Sequence, residues 1–512
     1  MARPLALEET WLDPGFKGFP IERAPFRVGD AAGQHLHLLR GDLPFPCAVL
    51  RARALDHNGR WYAAFARELG IDFAPHGKTT MAPQLFARQL RDGAWGITVG
   101  TVQQAWVAAS AGVRCILLAN QIATPGEARR WLGMLAEDPG LRMISLLDSQ
   151  PQLALLAQAV VHSDSAGTSQ GRLNRARETA PPRSQPRFEV LIELGRSGGR
   201  TGCRSVEAAQ ALAHLAAATP GVRVVGVEAY EGLAASGDSA RDAACVAAWM
   251  GDLEALIQRL ERDGFWSNDE EILVSAGGSS VFDLVADALV KARERSARAL
   301  DPARDIGQGH RMPRVQGKRR DPGNDPGPGT AQRTEQVAVQ SRRPWRIVLR
   351  SGCYITHDDG TYMRMQQAME QRGLGRTIRE GLSFSCCPEH WRGSRQGGLQ
   401  PALEVWAAVQ SRPEPGLALV TMGRRDAGSD AGLPMPVLHA REGSVRRAPA
   451  HWEVRAMNDQ HAYLVVDPAD VLEVGDLLGF GISHPCTTLD KWRLIWVIDD
   501  AYNVVEAIRT CF

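Results

Sequence analysis

From Asn58 to Leu69 the apolar residues Trp61, Ala64, Phe65 and Leu69 recur at helical spacing, and the short run from Ile71 to Pro75 leads directly into His76-Gly77-Lys78-Thr79-Thr80. This pattern predicts a helix feeding a strand. The same alternation repeats along the chain: QLFARQLRDG then AWGITVGT, VQQAWVAASAG then VRCILLANQ, ATPGEARRWLGMLAEDPG then LRMISLLDS, PQLALLAQAVV then RFEVLIELG. Further on, SVEAAQALAHLAAATPG precedes VRVVGVEAY, and a long helical stretch around AACVAAWMGDLEALIQRLERDG precedes EEILVSAGGSS. Such alternation in one direction predicts an α/β fold with a parallel sheet and crossover helices. About eight repeats favour closure into a (β/α)8 TIM-like barrel over an open doubly wound sheet.

Two stretches break the pattern. Residues 163–186 and 301–344 are rich in Gly, Pro, Arg and Gln and poor in apolar residues. They bury too little surface to offset the entropy of ordering and read as flexible insertions in loops. The cluster Lys318-Arg319-Arg320 lies in the second, with no aromatic residues interleaved as a single-stranded nucleic-acid site would require. From Trp345 the character changes to strand-like runs separated by turns, RIVLRSGCYI, LALVTMG, AYLVV, LLGFGI and RLIWVID. The expected division is therefore a barrel over 46–344 and a mostly β domain over 345–512, which the first 45 residues join.

At 512 residues the chain exceeds what one hydrophobic core serves, in keeping with two units. No window approaches the ~20 continuous apolar residues of a membrane span. Lys plus Arg (59) nearly balances Asp plus Glu (58), so the overall field favours neither nucleic acid nor an anionic membrane and points to a small-molecule ligand. The opening MARPLALEETWLD lacks the features of a secretory signal, so a cytoplasmic location is expected. Nine cysteines then read as reduced thiols or metal ligands rather than a disulfide framework.

Lys78 ends a predicted strand where a helix begins, the active-site face of a barrel. A lysine there can form a Schiff base if burial or a neighbouring cation lowers its pKa; a plain loop lysine is the alternative. The segment Glu193-Leu194-Gly195-Arg196-Ser197-Gly198-Gly199-Arg200 also follows a strand end, with glycines that admit close backbone approach and arginines that bind oxygen. Ser275-Ala276-Gly277-Gly278-Ser279-Ser280 ends another strand ahead of a helix at VFDLVADALVKA. Its amides suit a phosphate, or it is simply a tight turn. In His484-Pro485-Cys486 the two ligand types, placed two apart on a strand, would share a face and reach one zinc; a buried structural pair is the alternative.

Together these segments resemble the alanine-racemase-like (fold type III) family of pyridoxal-phosphate enzymes, in its D-serine dehydratase and D-threonine aldolase branch, over roughly 45–290 and again from 345 onward. The resemblance implies pyridoxal 5′-phosphate on Lys78 and Arg200 at the cofactor's phenolic oxygen, with Arg196 the alternative. It also implies Tyr230 in EAYEG against the cofactor and Gly277-Gly278-Ser279 as the phosphate turn. By the same resemblance His484 and Cys486 hold Zn²⁺, and cysteine at 486 is similar to the dehydratases where aspartate marks the aldolases. Cys353-Tyr354 falls at the junction of the domains, where a packing role is equally open.

The implied activity is β-elimination of β-hydroxy D-amino acids such as D-serine and D-threonine to a 2-oxo acid and ammonia. The rivals are retro-aldol cleavage and a cofactor-carrying protein without turnover, the latter disfavoured by the added β domain with its metal pair. A homodimer is what the family implies.

Overall fold

The computed structural model describes residues 7–170, 187–232, 235–267, 271–299, 345–373 and 397–512. Eight parallel strands form its first sheet: β1 (Asp72–Phe73), β2 (Ile97–Val99), β3 (Cys115–Gln121), β4 (Arg142–Leu147), β5 (Phe188–Leu194), β6 (Val222–Ala229), β7 (Ile272–Ala276) and β8 (Trp345–Leu349). Their order runs β1-β8-β7-β6-β5-β4-β3-β2. Beyond β1 the chain continues beside β2: the N–H of Trp95 donates to the Phe73 carbonyl at 2.8 Å, that of Thr98 to the Pro75 carbonyl at 2.9 Å, and His76 bridges Thr98. The ring thus closes, as the repeat number predicts.

Alternation along the strands separates two cores. Ile144 and Leu146 of β4 turn inward to meet Leu117, Leu191, Leu273 and Val348, whereas Met143 and Leu147 join the larger core under the helices. The interior is a packed plug, which leaves only the carboxyl ends of the strands open for a ligand.

β8 corrects the expected domain boundary. Trp345–Leu349 pairs in parallel with both β7 and β1, so it completes the barrel and does not open the β domain. A helix missing from the sequence reading, Thr361–Gln371, follows it. The run is buried almost throughout, and short apolar runs of this kind carry no mark of which sheet they join. The helix Gln150–Gln170 makes a second correction, since the supposed loop at 163–186 is helical as far as 170. Residues 171–186 and 301–344 lie outside the described residues.

The second unit is an antiparallel sheet around Leu403–Glu414, which pairs with Cys47–Arg51, Leu417–Val420 and Leu477–Gly481. Leu12, Phe19 and Phe26 pack with Trp406, Leu494 and Trp496 in one buried cluster, placing the N-terminal segment on this sheet. Arg51 donates twice to the Glu404 carboxylate, both at 3.1 Å and both side chains buried, while Trp406 Nε1 donates to the same carboxylate at 2.7 Å. A buried pair satisfied this fully fixes register more than it adds net stability.

Candidate active site

A cavity of about 410 Å³ lies at the carboxyl ends of the barrel strands, between them and the β domain. The loop after β1 supplies His76, Lys78 and Thr79; the loop after β5 supplies Arg200; β6 is followed by Tyr230; and β7 is followed by Gly278, Ser279 and Ser280. After β8 come Arg350, Gly352 and Cys353, with Tyr362 on the next helix, and the β domain contributes His484 and Cys486. None of the described lining residues is Asp or Glu, so the cavity surface presents the positive charges of Lys78 and Arg200, with Arg350 behind them, and suits an anionic ligand.

Lys78 sits in a one-turn helix, Gly77–Thr79, exposed to the cavity rather than buried. Beside it, burial pushes the His76 imidazole well below its ordinary pKa, and the positive charges of Lys78, Arg350 and Arg200 add to this. Both influences favour the neutral ring, and its buried Nδ1 has no hydrogen-bond partner among the described residues.

Arg200 rather than Arg196 faces the site. Its guanidinium lies 4.6 Å from the Tyr230 ring centre, whereas Arg196 donates to Asp252 at 2.7 Å and covers Trp249 outside the cavity. Beneath them, buried Glu193 accepts from Thr201 Oγ1 at 2.7 Å and from Gln121, which ties the Arg200 loop to β3. Arg350, absent from the sequence reading, forms a buried ion pair with Glu228 and donates to the Ala229 carbonyl at 3.0 Å. Burial raises the Glu228 carboxyl to about 8 even though Arg350 opposes the shift.

The turn after β7 is held from behind. Buried Glu231 accepts from the N–H of Gly277 at 3.1 Å and of Gly278 at 2.8 Å, and Gly277 has a φ of +86° that favours glycine. These two amides, expected to face a phosphate, are already used, and Gly277 does not line the cavity. The groups left to bind an anion are those of Ser279 and Ser280, just before the helix Phe282–Ala299. Glu231 adjoins Tyr230 in EAYEG, but nothing in sequence marks a carboxylate as a turn clamp.

The loop after β8 packs against the Lys78 loop so closely that a Cβ at Gly352 would lie 2.4 Å from the His76 carbonyl oxygen. Asn58 secures it, donating to the carbonyls of Ile355 at 3.0 Å and Gln400 at 2.7 Å, and Tyr354 stacks on Tyr62 at 4.2 Å. Cys353 Sγ then meets Cys486 Sγ at 3.6 Å. Hydrogen bonding with Cys486 draws the Cys353 thiol below its usual range against burial, with Tyr362, Thr79 and Ser279 assisting, and the same contact holds Cys486 well above.

His484 and Cys486 are not on a strand as expected. Leu477–Gly481 ends earlier, Pro485 adopts helical angles, and Cys486 opens a short helix, Cys486–Leu489. Proline disfavours a strand interior, and the turn still delivers both side chains to the cavity. His484 Nδ1 donates to Asp430 Oδ2 at 2.6 Å, and Thr487 Oγ1 donates to Oδ1 at 2.6 Å. Burial pushes the Asp430 carboxyl up, but these hydrogen bonds outweigh it and hold it below its usual range. The arrangement leaves His484 Nε2 as the free ring nitrogen, as in carboxylate-oriented metal ligands.

Residues 50–282 match the family model described as alanine racemase, N-terminal domain, and residues 402–498 match the one described as a putative serine dehydratase domain. The chain thus combines an alanine-racemase-like domain with a serine-dehydratase-like domain. It is similar to D-threonine aldolase of an Arthrobacter species, 27% identical over 188 residues, 36% of this chain and 43% of that protein. It is also similar to 3-hydroxy-D-aspartate aldolase of Paracoccus denitrificans Pd 1222, 25% identical over 245 residues, 47% and 56% of the two chains. The chain spans about half the length of these curated relatives.

Two solved structures share the fold of this chain over nearly its whole length. D-threonine aldolase from Filomicrobium marinum gives a TM-score of 0.63 at 20% identity, covering 95% of this chain and 98% of that one. D-threo-3-hydroxyaspartate dehydratase from Delftia sp. HT23 gives 0.57 at 19% identity, covering 92% and 98%. A mutant of the dehydratase is described as being in the metal-free form. No described helix of the present chain is long and apolar enough to cross a membrane.

Proposed function

We propose that this chain is a lyase that uses pyridoxal 5′-phosphate and a divalent metal such as Zn²⁺ to eliminate water from β-hydroxy D-amino acids of the D-serine and D-threonine kind, the product hydrolysing to a 2-oxo acid and ammonia. The observation that carries this is one cavity, free of carboxylates among its described lining, into which the Lys78 amine, two arginines, a serine turn and the His484/Cys486 pair all open.

The residues fit the cofactor. Lys78 would hold it covalently, the Ser279–Ser280 turn its phosphate, and Arg200 its phenolic oxygen, with Tyr230 and the neutral His76 ring as walls. When bound, pyridoxal phosphate supplies an aldehyde for amines and a ring that accepts an electron pair. The Lys78 amine would be the base for the substrate's α-proton. Arg200 and Arg350 orient anionic groups, including the substrate carboxylate. The donor set at the other wall suits a borderline-soft ion: His484 Nε2 and Cys486 Sγ would hold it, with Lewis acidity toward the β-hydroxyl as its chemistry. Among the described residues no three His, Cys, Asp or Glu side chains form a ready-made metal cluster.

The aldolases among the relatives support a second reading, retro-aldol cleavage to glycine and an aldehyde. Incubating the purified protein with D- and L-serine and D- and L-threonine, with and without chelator, separates the two. Oxo acid from the D-isomers alone, lost with chelator, supports elimination; glycine plus aldehyde replaces it with the aldolase reading; a bound chromophore with no turnover leaves only a carrier. An imine absorbance that survives Lys78→Ala would refute all three.

A further inference from the structure

We infer that Cys353 is a metal ligand, so that the ion is held by two thiolates, Cys353 and Cys486, as well as by His484. This rests on the metal half of the proposed function and changes its donor set.

The geometry is a nearly equilateral triangle. Cys353 Sγ and Cys486 Sγ are 3.6 Å apart, and Thr79 Oγ1 lies 3.6 Å from the first and 3.5 Å from the second. Two sulfurs bound at ~2.3 Å to a tetrahedral ion stand about 3.8 Å apart, so the two thiols need to separate by only a few tenths of an ångström to share one. A disulfide, with its ~2.05 Å bond, would require a much larger approach.

The two sulfurs come from unrelated elements 133 residues apart, the loop after β8 and the turn after Leu477–Gly481. They meet at the wall of a polar cavity rather than within an apolar core, and His484 lines the same space. Cys353 is itself buried, fixed by the Gly352 contact and by Asn58, whereas a cysteine used for packing needs no second thiol and no hydroxyl beside it.

Binding releases one proton from each thiol to solvent, and both sulfur lone pairs go to the divalent ion. The Thr79 hydroxyl, now facing two anions, turns to donate its hydrogen to one of them. With two thiolates and a neutral imidazole the centre is uncharged overall, whereas His484 and Cys486 alone would leave it one positive charge. Two thiolates select a soft ion over Mg²⁺ or Ca²⁺. Because Thr79 follows Lys78, this places the ion next to the amine.

The test uses the holoenzyme, stripped of metal by chelator under anaerobic conditions and titrated with Co²⁺. Thiolate-to-cobalt charge-transfer absorption is read as a difference spectrum. Wild type should show the intensity of two thiolates. Cys353→Ala, Cys353→Ser and Cys486→Ala should each show about half of it, with affinity weakened by more than about tenfold, and the double variant should show none. Cys353→Ser keeps the size and hydrogen bonding, so an unchanged imine band and far-ultraviolet dichroism in it exclude misfolding. Full charge-transfer intensity in both Cys353 variants, or single-thiolate intensity in wild type, overturns the inference while leaving the His484/Cys486 reading in place. A wild type that takes up no cobalt overturns both.

Discussion

Removing the Glu231 carboxylate should loosen phosphate binding without touching any group that faces the ligand. Glu231 is fully buried and accepts from the N–H groups of Gly277 and Gly278 at 3.1 and 2.8 Å. From the other side the Gly278 carbonyl accepts from Ser351 Oγ at 3.0 Å, and Ser279 Oγ accepts from the N–H of Gly352 and Cys353, each at 3.2 Å. Hydrogen bonds to a charged acceptor contribute ~1.5–3 kcal/mol each, and desolvation of the carboxylate offsets part of the pair. Glu231→Gln keeps one acceptor oxygen and no charge, so a loss of ~1–3 kcal/mol is expected. Glu231→Ala strands two amides at ~1–3 kcal/mol apiece and should lose ~2–6 kcal/mol.

The readout is reconstitution of the metal-replete protein with pyridoxal phosphate and, in parallel, with pyridoxal. If the turn is what the carboxylate holds, the preference for the phosphorylated form falls by at least ~10-fold in Glu231→Ala, equivalent to ~1.4 kcal/mol, and less in Glu231→Gln. Binding of plain pyridoxal should change little. Equal weakening of both ligands would mean that Glu231 supports the barrel generally, and an unchanged ratio in both variants would refute the reasoning.

Three other outcomes follow from the same geometry. Arg200→Ala should weaken cofactor binding by tenfold or more, while Arg196→Ala, which breaks a solvent-screened pair with Asp252 and uncovers Trp249 outside the cavity, should leave cofactor binding unchanged; equal effects in a spectroscopic titration would contradict the assignment. Asp430→Asn removes the charged acceptor that orients His484, so metal affinity in a competitive chelator assay should drop ~10–100-fold, and an unchanged affinity would detach Asp430 from the site. Burial pushes the His357 imidazole down to about 4, so the unfolded chain binds a proton between pH 6.5 and 4 that the folded chain does not. Stability from this group is therefore complete above pH 6.5 and is lost as pH falls toward 4, by up to ~3 kcal/mol. His357→Asn, tolerated at its φ of +46°, should flatten the denaturant midpoint across that window, and an unaltered slope would show that His357 titrates normally.

What sequence conveyed was periodicity and the order of strand ends. Seven barrel strands announced themselves because a helical run precedes each, at short range in every case but β5, where a polar stretch intervenes, and the Lys78, Arg200 and Ser279 segments could be assigned to the barrel mouth because each sits just past a strand. The eighth strand lacked that context. Forty-four residues of low-complexity sequence separate it from the helix before it, and Trp345–Leu349 looks like any buried strand of a β domain. With that strand misplaced, Arg350, Gly352 and Cys353 could not be recognised as lying at the same mouth, although RSGCY holds the position after β8 that HGKTT holds after β1.

The remaining site groups were illegible for a different reason, which is that their roles exist only across the chain. Glu231 clamps a turn 46 residues away, Asp430 orients a histidine 54 residues away, and Cys353 meets a thiol 133 residues away. No local spacing encodes such pairs. The eighth strand is what connects them: it positions the loop that carries Cys353 against both the Lys78 loop and the β domain's Cys486. Val348 is fully buried in the barrel interior with Leu273 and Leu191, so an aspartate there would leave an unpaired charge in the plug. Such a variant should lose cobalt binding and the cofactor band together. Loss of one without the other would show that the barrel mouth and the metal wall are assembled independently.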